Sequence, residues 1–467
     1  MKTGGLADVA GALPKYINKR DYDVRLIMPK YMCMSPKWNE ELHYVTHFYM
    51  DLAWRSQYVG ILEAKYEGVT VYFVDNEYYF AGFAPYGEMF TDVEKFSFFS
   101  KAVLSALPLI GFQPDIIHCN DWQTGLIPVF LNELFRGDLF FAGMKTIMTI
   151  HNLRFQGRWN LDKVKDITGL PPHCFTSDIL EAYKDSNLLK GGIVCSDRVT
   201  TVSKQYAQEI QTPDYGEGLD GVIRSKSYVL SGIVNGIDNK IYDPRHDENL
   251  TRCYGIPDYK KGKAENKMAL QKRLGLPVDE HKMLIGLVSR LTDQKGLDLV
   301  GCCLEPLMSD EIQLVVLGTG DPRYEEMFRY YAGKNPDRVS ANICYSEELS
   351  HQVNAACDAL LVPSLFEPCG LTQLIAFRYG AVPIVRETGG LKDTVELYNE
   401  FENTGTGFSF RNYDAGELLS AIRYAEQVYF DKPEAWNGLV RRGMKNDFSW
   451  KRSAKEYEKL YADLLAK

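Results

Sequence analysis

Short apolar runs rich in β-branched residues alternate with amphipathic stretches along the whole chain. In the first half, such runs lie at 23–28, 69–74, 115–118, 145–150 and 198–202. This alternation predicts βαβ units, in which parallel strands are joined by helices that cover the sheet. The chain is therefore expected to fold as an α/β protein with a largely parallel sheet.

The alternation pauses in a turn-rich passage at 235–245 and then restarts, with further runs at 283–288, 313–317, 359–362 and 382–385. A length of 467 residues also exceeds what one hydrophobic core usually organises. We therefore predict two doubly wound domains, 1–238 and 239–446, with ligands bound in a cleft between them. Residues 447–467 are predicted to form a terminal helix able to pack back on the amino-terminal domain.

The composition excludes several classes of protein. A net charge of −9 offers no broad field for nucleic acid or an anionic membrane, and no apolar run approaches the roughly 18 residues of a membrane helix. The ten cysteines are scattered without metal-ligand or disulfide spacing. We expect a cytoplasmic protein with reduced thiols, no metal, and no nucleic-acid or membrane partner.

The start of the chain departs from the doubly wound pattern. Gly4 and Gly5 form a glycine-rich turn within five residues of the start, whereas such a turn normally follows the first strand of the domain. The first strand of the amino-terminal domain is expected to be missing, through a late start of the chain. Lys2 precedes the turn, which is either an anion site at a helix N-terminus or a plain turn beside a solvated lysine.

Two polar groups follow predicted strands in the first half. Asp121 follows the strand at 115–118, and His151 follows the strand at 145–150. Open α/β sheets bind ligands at such strand ends, so both are candidate site residues. The alternatives are that Asp121 caps the next helix and that His151 is a satisfied structural group.

The second half carries three glycine-rich turns between strands and helices. Arg290 and Lys295 share one such loop, which suits a diphosphate because guanidinium grips two oxygens and ammonium acts as a movable point charge. Gly318 lies in a Gly-x-Gly turn, and Glu367 begins a turn whose amides can bind phosphate or sugar hydroxyls. The alternatives are solvated surface charges and helix capping.

These motifs, in order, resemble the bacterial glycogen synthase and plant starch synthase family. The shared runs are Lys-Thr-Gly-Gly-Leu, Asn-Asp-Trp-Gln-Thr-Gly, His-Asn-Leu, Ser-Arg-Leu-Thr-x-Gln-Lys-Gly, Tyr-Ser-Glu and Glu-Pro-Cys-Gly-Leu-Thr-Gln-Leu, between positions 2 and 374. The resemblance implies the GT-B fold, in which two Rossmann-like domains face a central cleft.

The resemblance also implies an activity: retaining transfer of glucose from ADP-glucose, or less often UDP-glucose, to the non-reducing 4-hydroxyl of an α-1,4-glucan such as glycogen or a maltooligosaccharide. It implies no metal or organic cofactor. The catalytic set would be His151, Asp121, Arg290, Lys295 and Glu367. The donor-binding set would be Lys2, Gly4, Gly5, Gly318, Tyr345, Cys369, Gly370, Leu371 and Thr372.

Within these sets the resemblance gives each group a role. Lys2, Arg290 and Lys295 would bind the diphosphate, and Tyr345 would stack on the base. Glu367 would hold glucose hydroxyls, Asp121 would orient the sugar or acceptor, and His151 would lie beside the anomeric carbon.

The pattern lacks the second glutamate that many retaining GT-B enzymes carry, because the eighth position after Glu367 is Ile375. A same-face displacement, in which the leaving diphosphate accepts the proton of the attacking hydroxyl, would need no second carboxylate. Two alternatives stay open at this point: a GT-B transferase with another donor or acceptor, and a glucan-binding protein whose donor site has decayed.

Overall fold

The computed structural model describes residues 5–466 and divides into two compact units. The first comprises the chain up to Val202, Ala207–Ile233 and the residues from Ser453, and the second comprises Ser203–Tyr206 and Val234–Arg452. The main division, after Ile233, falls close to the predicted boundary after residue 238. Lys2 and Gly4, at the end where the first strand is expected to be missing, lie outside the described residues.

The amino-terminal unit contains two four-stranded sheets and a small three-stranded one. Its strands are β1 (Arg25–Pro29), β2 (His43–Leu52), β3 (Arg55–Tyr66), β4 (Val69–Asp75), β5 (Ile116–Asn120), β6 (Lys145–Ile150), β7 (Arg158–Asn160), β8 (Glu181–Ala182), β9 (Asp185–Asn187), β10 (Arg198–Thr201) and β11 (Leu230–Gly232). Its helices before the division are α1 (Gly5–Tyr16), α2 (Glu77–Phe80), α3 (Met89–Ala106), α4 (Leu126–Phe130), α5 (Leu161–Thr168), α6 (Leu188–Cys195), α7 (Lys204–Glu209), whose first turn belongs to the second unit, and α8 (Asp220–Ser225).

The two larger sheets differ in direction. β11, β10, β6 and β5 are parallel throughout, as predicted. In the other sheet β1 pairs parallel with β4, whereas β2, β3 and β4 form an antiparallel meander. The meander was not predicted, because β2 and β3 carry many exposed polar and aromatic positions and lack the continuous apolar run of a strand buried on both faces.

The carboxy-terminal unit is doubly wound around one parallel six-stranded sheet. Its helices are α9 (Tyr259–Leu274), α10 (Leu297–Leu307), α11 (Pro322–Lys334), α12 (Glu347–Ala356), α13 (Thr372–Tyr379), α14 (Gly389–Thr394), α15 (Ala415–Asp431) and α16 (Pro433–Lys445). Its strands are β12 (Met283–Val288), β13 (Ile312–Leu317), β14 (Val339–Asn342), β15 (Ala359–Val362), β16 (Val382–Arg386) and β17 (Phe408–Phe410).

The strand order of this sheet is β14-β13-β12-β15-β16-β17. The order runs outward in both directions from the neighbours β12 and β15, so the helices that follow these two strands leave toward opposite faces of the sheet. A crevice opens where such an order reverses, at the carboxyl ends of the strands. The loops after β12 and β15 are therefore the places where this fold positions a ligand.

The terminal helix α17 (Trp450–Leu465) belongs to the amino-terminal unit from Ser453 onward. Its Tyr461 hydroxyl lies 2.9 Å from Nδ1 of His118 on β5, and His118 Nε2 lies 2.6 Å from the Thr149 hydroxyl on β6. Burial lowers the pKa of His118 to about 4, so the ring is neutral and depends on these two partners. No helix in residues 5–466 is long and apolar enough to cross a membrane.

We expect Tyr461→Phe to destabilise the amino-terminal unit by about 2 kcal/mol, because it leaves a buried ring nitrogen of His118 without a partner. The midpoint of the thermal transition should fall by about 4–8 °C, measured by scanning calorimetry. Tyr228→Phe, at a tyrosine that is 80% exposed, is the matched control. Equal midpoints for the two variants would contradict this role of the tyrosine.

Candidate active site

The loops after β12 and β15 are in direct backbone contact. Gly296 ends the first loop with φ of +67°, and a Cβ placed there would lie 2.1 Å from the carbonyl oxygen of Pro363 in the second. The Leu365 amide donates to the Gln294 carbonyl at 2.9 Å. Only glycine permits both the conformation and the approach, so this residue sets the distance between the loops.

Two predicted site residues are brought together by this contact. Lys295 Nζ lies 2.6 Å from Oε2 of Glu367, and the Ser364 hydroxyl donates to the same oxygen at 3.0 Å. Glu367 is 7% exposed and the Lys295 side chain 16%. A partly desolvated ion pair with an additional hydrogen bond fixes both side chains in place.

The segment after Glu367 leads into helix α13. Gly370 has φ of +74°, and Leu371 and Thr372 start the helix, where amide groups have no intrahelical acceptor. Amides at the start of a helix are able to bind an anion. Cys369 is buried and its pKa is raised to about 12 by burial, so its thiol stays protonated and packs as an apolar group.

The remaining predicted residues of this unit border the same strand ends. A Cβ at Gly318, after β13, would lie 1.9 Å from the Ser289 carbonyl oxygen, so the third loop packs on the first. Arg290 is exposed, and Tyr345 is 81% exposed in the loop after β14. Both side chains are therefore accessible to a ligand.

Two adjacent glycines that the sequence analysis did not single out, Gly389 and Gly390, pack against the backbone of Glu367. A Cβ at Gly389, at the start of α14, would lie 1.9 Å from the Glu367 carbonyl oxygen, and the Gly390 amide donates to that oxygen at 3.0 Å. The signal was present in the sequence, because 388–391 repeats the Thr-Gly-Gly-Leu of residues 3–6.

Asp121, at the carboxyl end of β5, has a strained backbone. Its φ is +56° and ψ −175°, a conformation that residues with a side chain rarely adopt. Its carboxylate does not cap the following turn but accepts from the His151 amide at 2.7 Å. Burial raises the pKa of Asp121 to about 7, although hydrogen bonds from the His151 and Asn152 amides act in the opposite direction.

His151 lies beside Asp121 and is 7% exposed. Burial lowers its pKa to about 3, so the imidazole is neutral. Nε2 lies 2.9 Å from Oδ1 of Asn120, an acceptor, which places the ring proton on Nε2. Nδ1 is then an acceptor, and it has no hydrogen-bond partner among the described residues.

Asn120 is thus a candidate site residue that the sequence analysis did not single out, since it selects the His151 tautomer that leaves Nδ1 as an acceptor. The structure places the predicted residues in two groups, one at the strand ends of each unit. Gly5 begins α1, apart from the Asp121 group in the described contacts, and Lys2 and Gly4 precede the described residues.

Two α/β units with polar groups at the carboxyl ends of parallel strands are the arrangement expected of a GT-B glycosyltransferase, and the comparisons with known proteins show that class. Residues 1–225 match the family described as starch synthase catalytic domain, and residues 271–437 match glycosyl transferases group 1. Glycogen synthase from Lachnospira eligens is 62% identical over 464 residues, covering 99% of this chain and 97% of the relative. The chain belongs to the glycogen synthase family.

Other relatives agree in length and structure. Glycogen synthase from Geobacillus stearothermophilus is 48% identical over 466 residues, covering 100% of this chain and 96% of the relative. The catalytic domain of starch synthase IV from Arabidopsis thaliana, bound to ADP and acarbose, has a TM-score of 0.91 at 34% identity and covers 100% of this chain and 97% of its own. Sucrose-phosphate synthase from Thermosynechococcus elongatus, at 19% identity and a TM-score of 0.63, shares the fold.

The raised pKa of Asp121 predicts a pH-dependent stability. Between its ordinary value of 3.8 and about 7, the folded protein holds a proton that the unfolded chain releases, so stability falls as pH rises. Asp121→Asn removes this dependence. The free energy of unfolding of the parent relative to that of the variant should fall by at most about 1.4 kcal/mol per pH unit from pH 4.5 to 7 and then level off, as followed by thermal unfolding at each pH.

Asp463→Asn, at an exposed aspartate, is the control for this pH series. It should follow the parent at every pH. Parallel profiles for the parent and Asp121→Asn would show that the carboxylate titrates normally.

Proposed function

We propose that the protein transfers glucose from a nucleotide-glucose donor to the non-reducing 4-hydroxyl of an α-1,4-glucan, with retention of configuration. The donor we propose is ADP-glucose. The observation that carries the proposal is the pairing of Lys295 with Glu367 beside the first amides of α13. It sets a cation for a diphosphate next to a carboxylate for sugar hydroxyls. The names of the full-length relatives and the ADP in the starch synthase structure support the same donor and acceptor.

In this proposal the diphosphate is bound by Arg290, Lys295 and the amides of Leu371 and Thr372. Guanidinium offers a two-pronged contact, and ammonium and amides add further donors, so the charge of a leaving nucleotide is offset without a metal ion or organic cofactor. We assign Tyr345 to stacking on the base; its exposure in the loop after β14, the next strand beyond β13, leaves the ring free for such a contact.

The sugar is held by acceptors. Glu367, held by Lys295, accepts from glucose hydroxyls. We assign His151 Nδ1, a buried acceptor without a hydrogen-bond partner among the described residues, to a sugar hydroxyl, since the Nε2 proton is committed to Asn120. A neutral imidazole with a pKa of about 3 is a poor proton acceptor near neutral pH, so His151 positions the sugar and does not act as a general base.

Retention then follows from a same-face displacement. The bond between the anomeric carbon and the diphosphate oxygen breaks, and the bond to the acceptor 4-oxygen forms on the same face. The proton of the acceptor hydroxyl passes to the departing diphosphate. This step needs no carboxylate nucleophile, in agreement with Ile375 at the position of the second glutamate. We place the reaction in the cytoplasm, which suits ten free cysteines.

We expect Lys295→Gln and Glu367→Gln each to lower kcat/KM by about 100-fold or more, because each removes one half of the donor-binding pair. The assay incubates the protein with glycogen and labelled ADP-glucose or UDP-glucose and counts label in the polymer. Lys334→Gln and Glu305→Gln divide a surface ion pair of 2.8 Å in the same unit and should leave the rate within about two-fold.

If both site variants retained the kcat/KM of the surface controls, Lys295 and Glu367 would have no part in the reaction. Glycogen binding without label incorporation by a folded parent would instead favour a glucan-binding protein. A covalent glucosyl–protein adduct trapped with a slow donor would contradict the same-face displacement.

Asn120→Ala is expected to lower kcat by about 10-fold or more, because His151 loses the acceptor that fixes its tautomer. Asn120→Asp keeps an acceptor oxygen at the same place and should recover part of the loss. The new carboxylate gives the imidazole a charged neighbour, so a new pH dependence is expected. A loss of rate that Asn120→Asp does not relieve, with an unchanged pH profile, would indicate a purely structural role.

A further inference from the structure

Three side chains with different ligand atoms meet in the amino-terminal unit outside both groups described above. Oxygen, nitrogen and sulfur atoms of Glu133, His173 and Cys174 all lie within 4.8 Å of one another. His173 Nε2 and Glu133 Oε2 are 2.8 Å apart. We propose that these three residues form a binding site for a zinc-class divalent metal ion.

The backbone places these groups through two irregular segments. Glu133 lies in a π-helical turn, Leu131–Phe135, that continues α4, and such turns redirect side chains out of the helical repeat. His173 and Cys174 are neighbours in a short 3-10 turn, Pro172–Phe175, that Pro171 precedes. Glu133 is therefore separated from them by about 40 positions, which is why the cysteine spacing in the sequence gave no sign of the site.

The chemistry of the set selects the metal. A thiolate, an imidazole and one carboxylate are the ligands that Zn²⁺ takes in proteins, whereas Mg²⁺ and Ca²⁺ prefer oxygen alone. Three protein ligands leave one tetrahedral position for water or a further ligand. The set also differs from a surface cluster of acidic residues, because Cys174 is fully buried and Glu133 is only 21% exposed.

The geometry needs only a small adjustment. Metal–ligand distances of about 2.0–2.3 Å in a tetrahedron separate neighbouring ligand atoms by about 3.3–3.7 Å. The three ligand atoms lie within 4.8 Å of one another, so the widest separation must shorten by about 1 Å. His173 Nε2 and Glu133 Oε2, now 2.8 Å apart, must give up their hydrogen bond and move apart by about 0.5–1 Å. The His173 side chain is 62% exposed and can make this movement, whereas Cys174 is held by packing.

The surroundings balance the charge of such a site. Cys195, at the end of α6, is close enough to Cys174 for the two thiols to influence each other electrostatically, and Lys226 in turn lies near Cys195. Thiolate and carboxylate ligands offset the charge of the metal. Burial raises the pKa of the Cys174 thiol to about 12, so binding must release its proton and will strengthen as pH rises.

The test uses the full chain, freed of metal by a chelator and kept reduced with a phosphine. Titration with Zn²⁺ is expected to show one saturable site and to raise the thermal midpoint of the protein. Titration with Co²⁺ should give a thiolate-to-metal absorption band and the visible bands of a tetrahedral site.

His173→Asn and Glu133→Gln should each weaken Zn²⁺ binding by about 10-fold or more, and Cys174→Ser should abolish the thiolate band. His281→Asn, at another exposed histidine, and Cys302→Ser, at an exposed cysteine, should leave both signals unchanged. Because the His173 side chain lies at the surface, His173→Asn is expected to fold normally, and weaker Zn²⁺ binding by this variant cannot be ascribed to misfolding.

Zinc affinity that is the same in the parent, His173→Asn and Cys174→Ser would place the ion elsewhere and overturn the proposal. Absence of saturable Zn²⁺ or Co²⁺ binding by the parent would overturn it as well. The residues of this site are distinct from those assigned to glucose transfer, so either result leaves the transferase assay unaffected.

Discussion

The contact between Gly296 and the Pro363 carbonyl is the constraint on which the carboxy-terminal site depends. Adjacent parallel strands lie about 4.8 Å apart, yet the helices after β12 and β15 leave to opposite faces, which would normally separate their loops. A glycine without a Cβ, with a left-handed backbone, lets the loops touch at the switch point. Lys295 and Glu367 meet because their backbones are already in contact.

Once the backbones are fixed, electrostatic attraction holds the Lys295 and Glu367 side chains together. Two charges taken partly out of water attract each other strongly, but each also loses hydration, so such a pair adds little net stability. Its value is geometric. The pair holds both side chains in position before any ligand arrives, which lowers the ordering cost of binding.

The amino-terminal group is held in a different way. It contains no ion pair among Asn120, Asp121 and His151; instead a strained backbone at Asp121 aims the carboxylate at the His151 amide. Burial keeps the imidazole neutral and favours the protonated carboxyl. One unit thus presents fixed charges suited to a diphosphate, and the other presents neutral hydrogen-bonding groups suited to sugar hydroxyls.

The sequence predicts what local pattern controls and misses what the fold alone brings together. Apolar runs located β4, β6, β12 and β15 closely, because strands buried on both faces of a sheet are mostly apolar. Candidate site residues were predicted where a motif follows such a strand, as with Lys295 and Glu367. Asn120 was passed over because its partner is 31 positions away, and its function depends on which nitrogen of that partner it contacts.

The Glu133, His173 and Cys174 cluster was missed for the same reason. Its ligand atoms come from separate segments, and they converge only because a π-helical turn and a 3-10 turn redirect the chain. Metal sites assembled in this way carry no spacing signature, so they must be sought in the geometry of the folded chain.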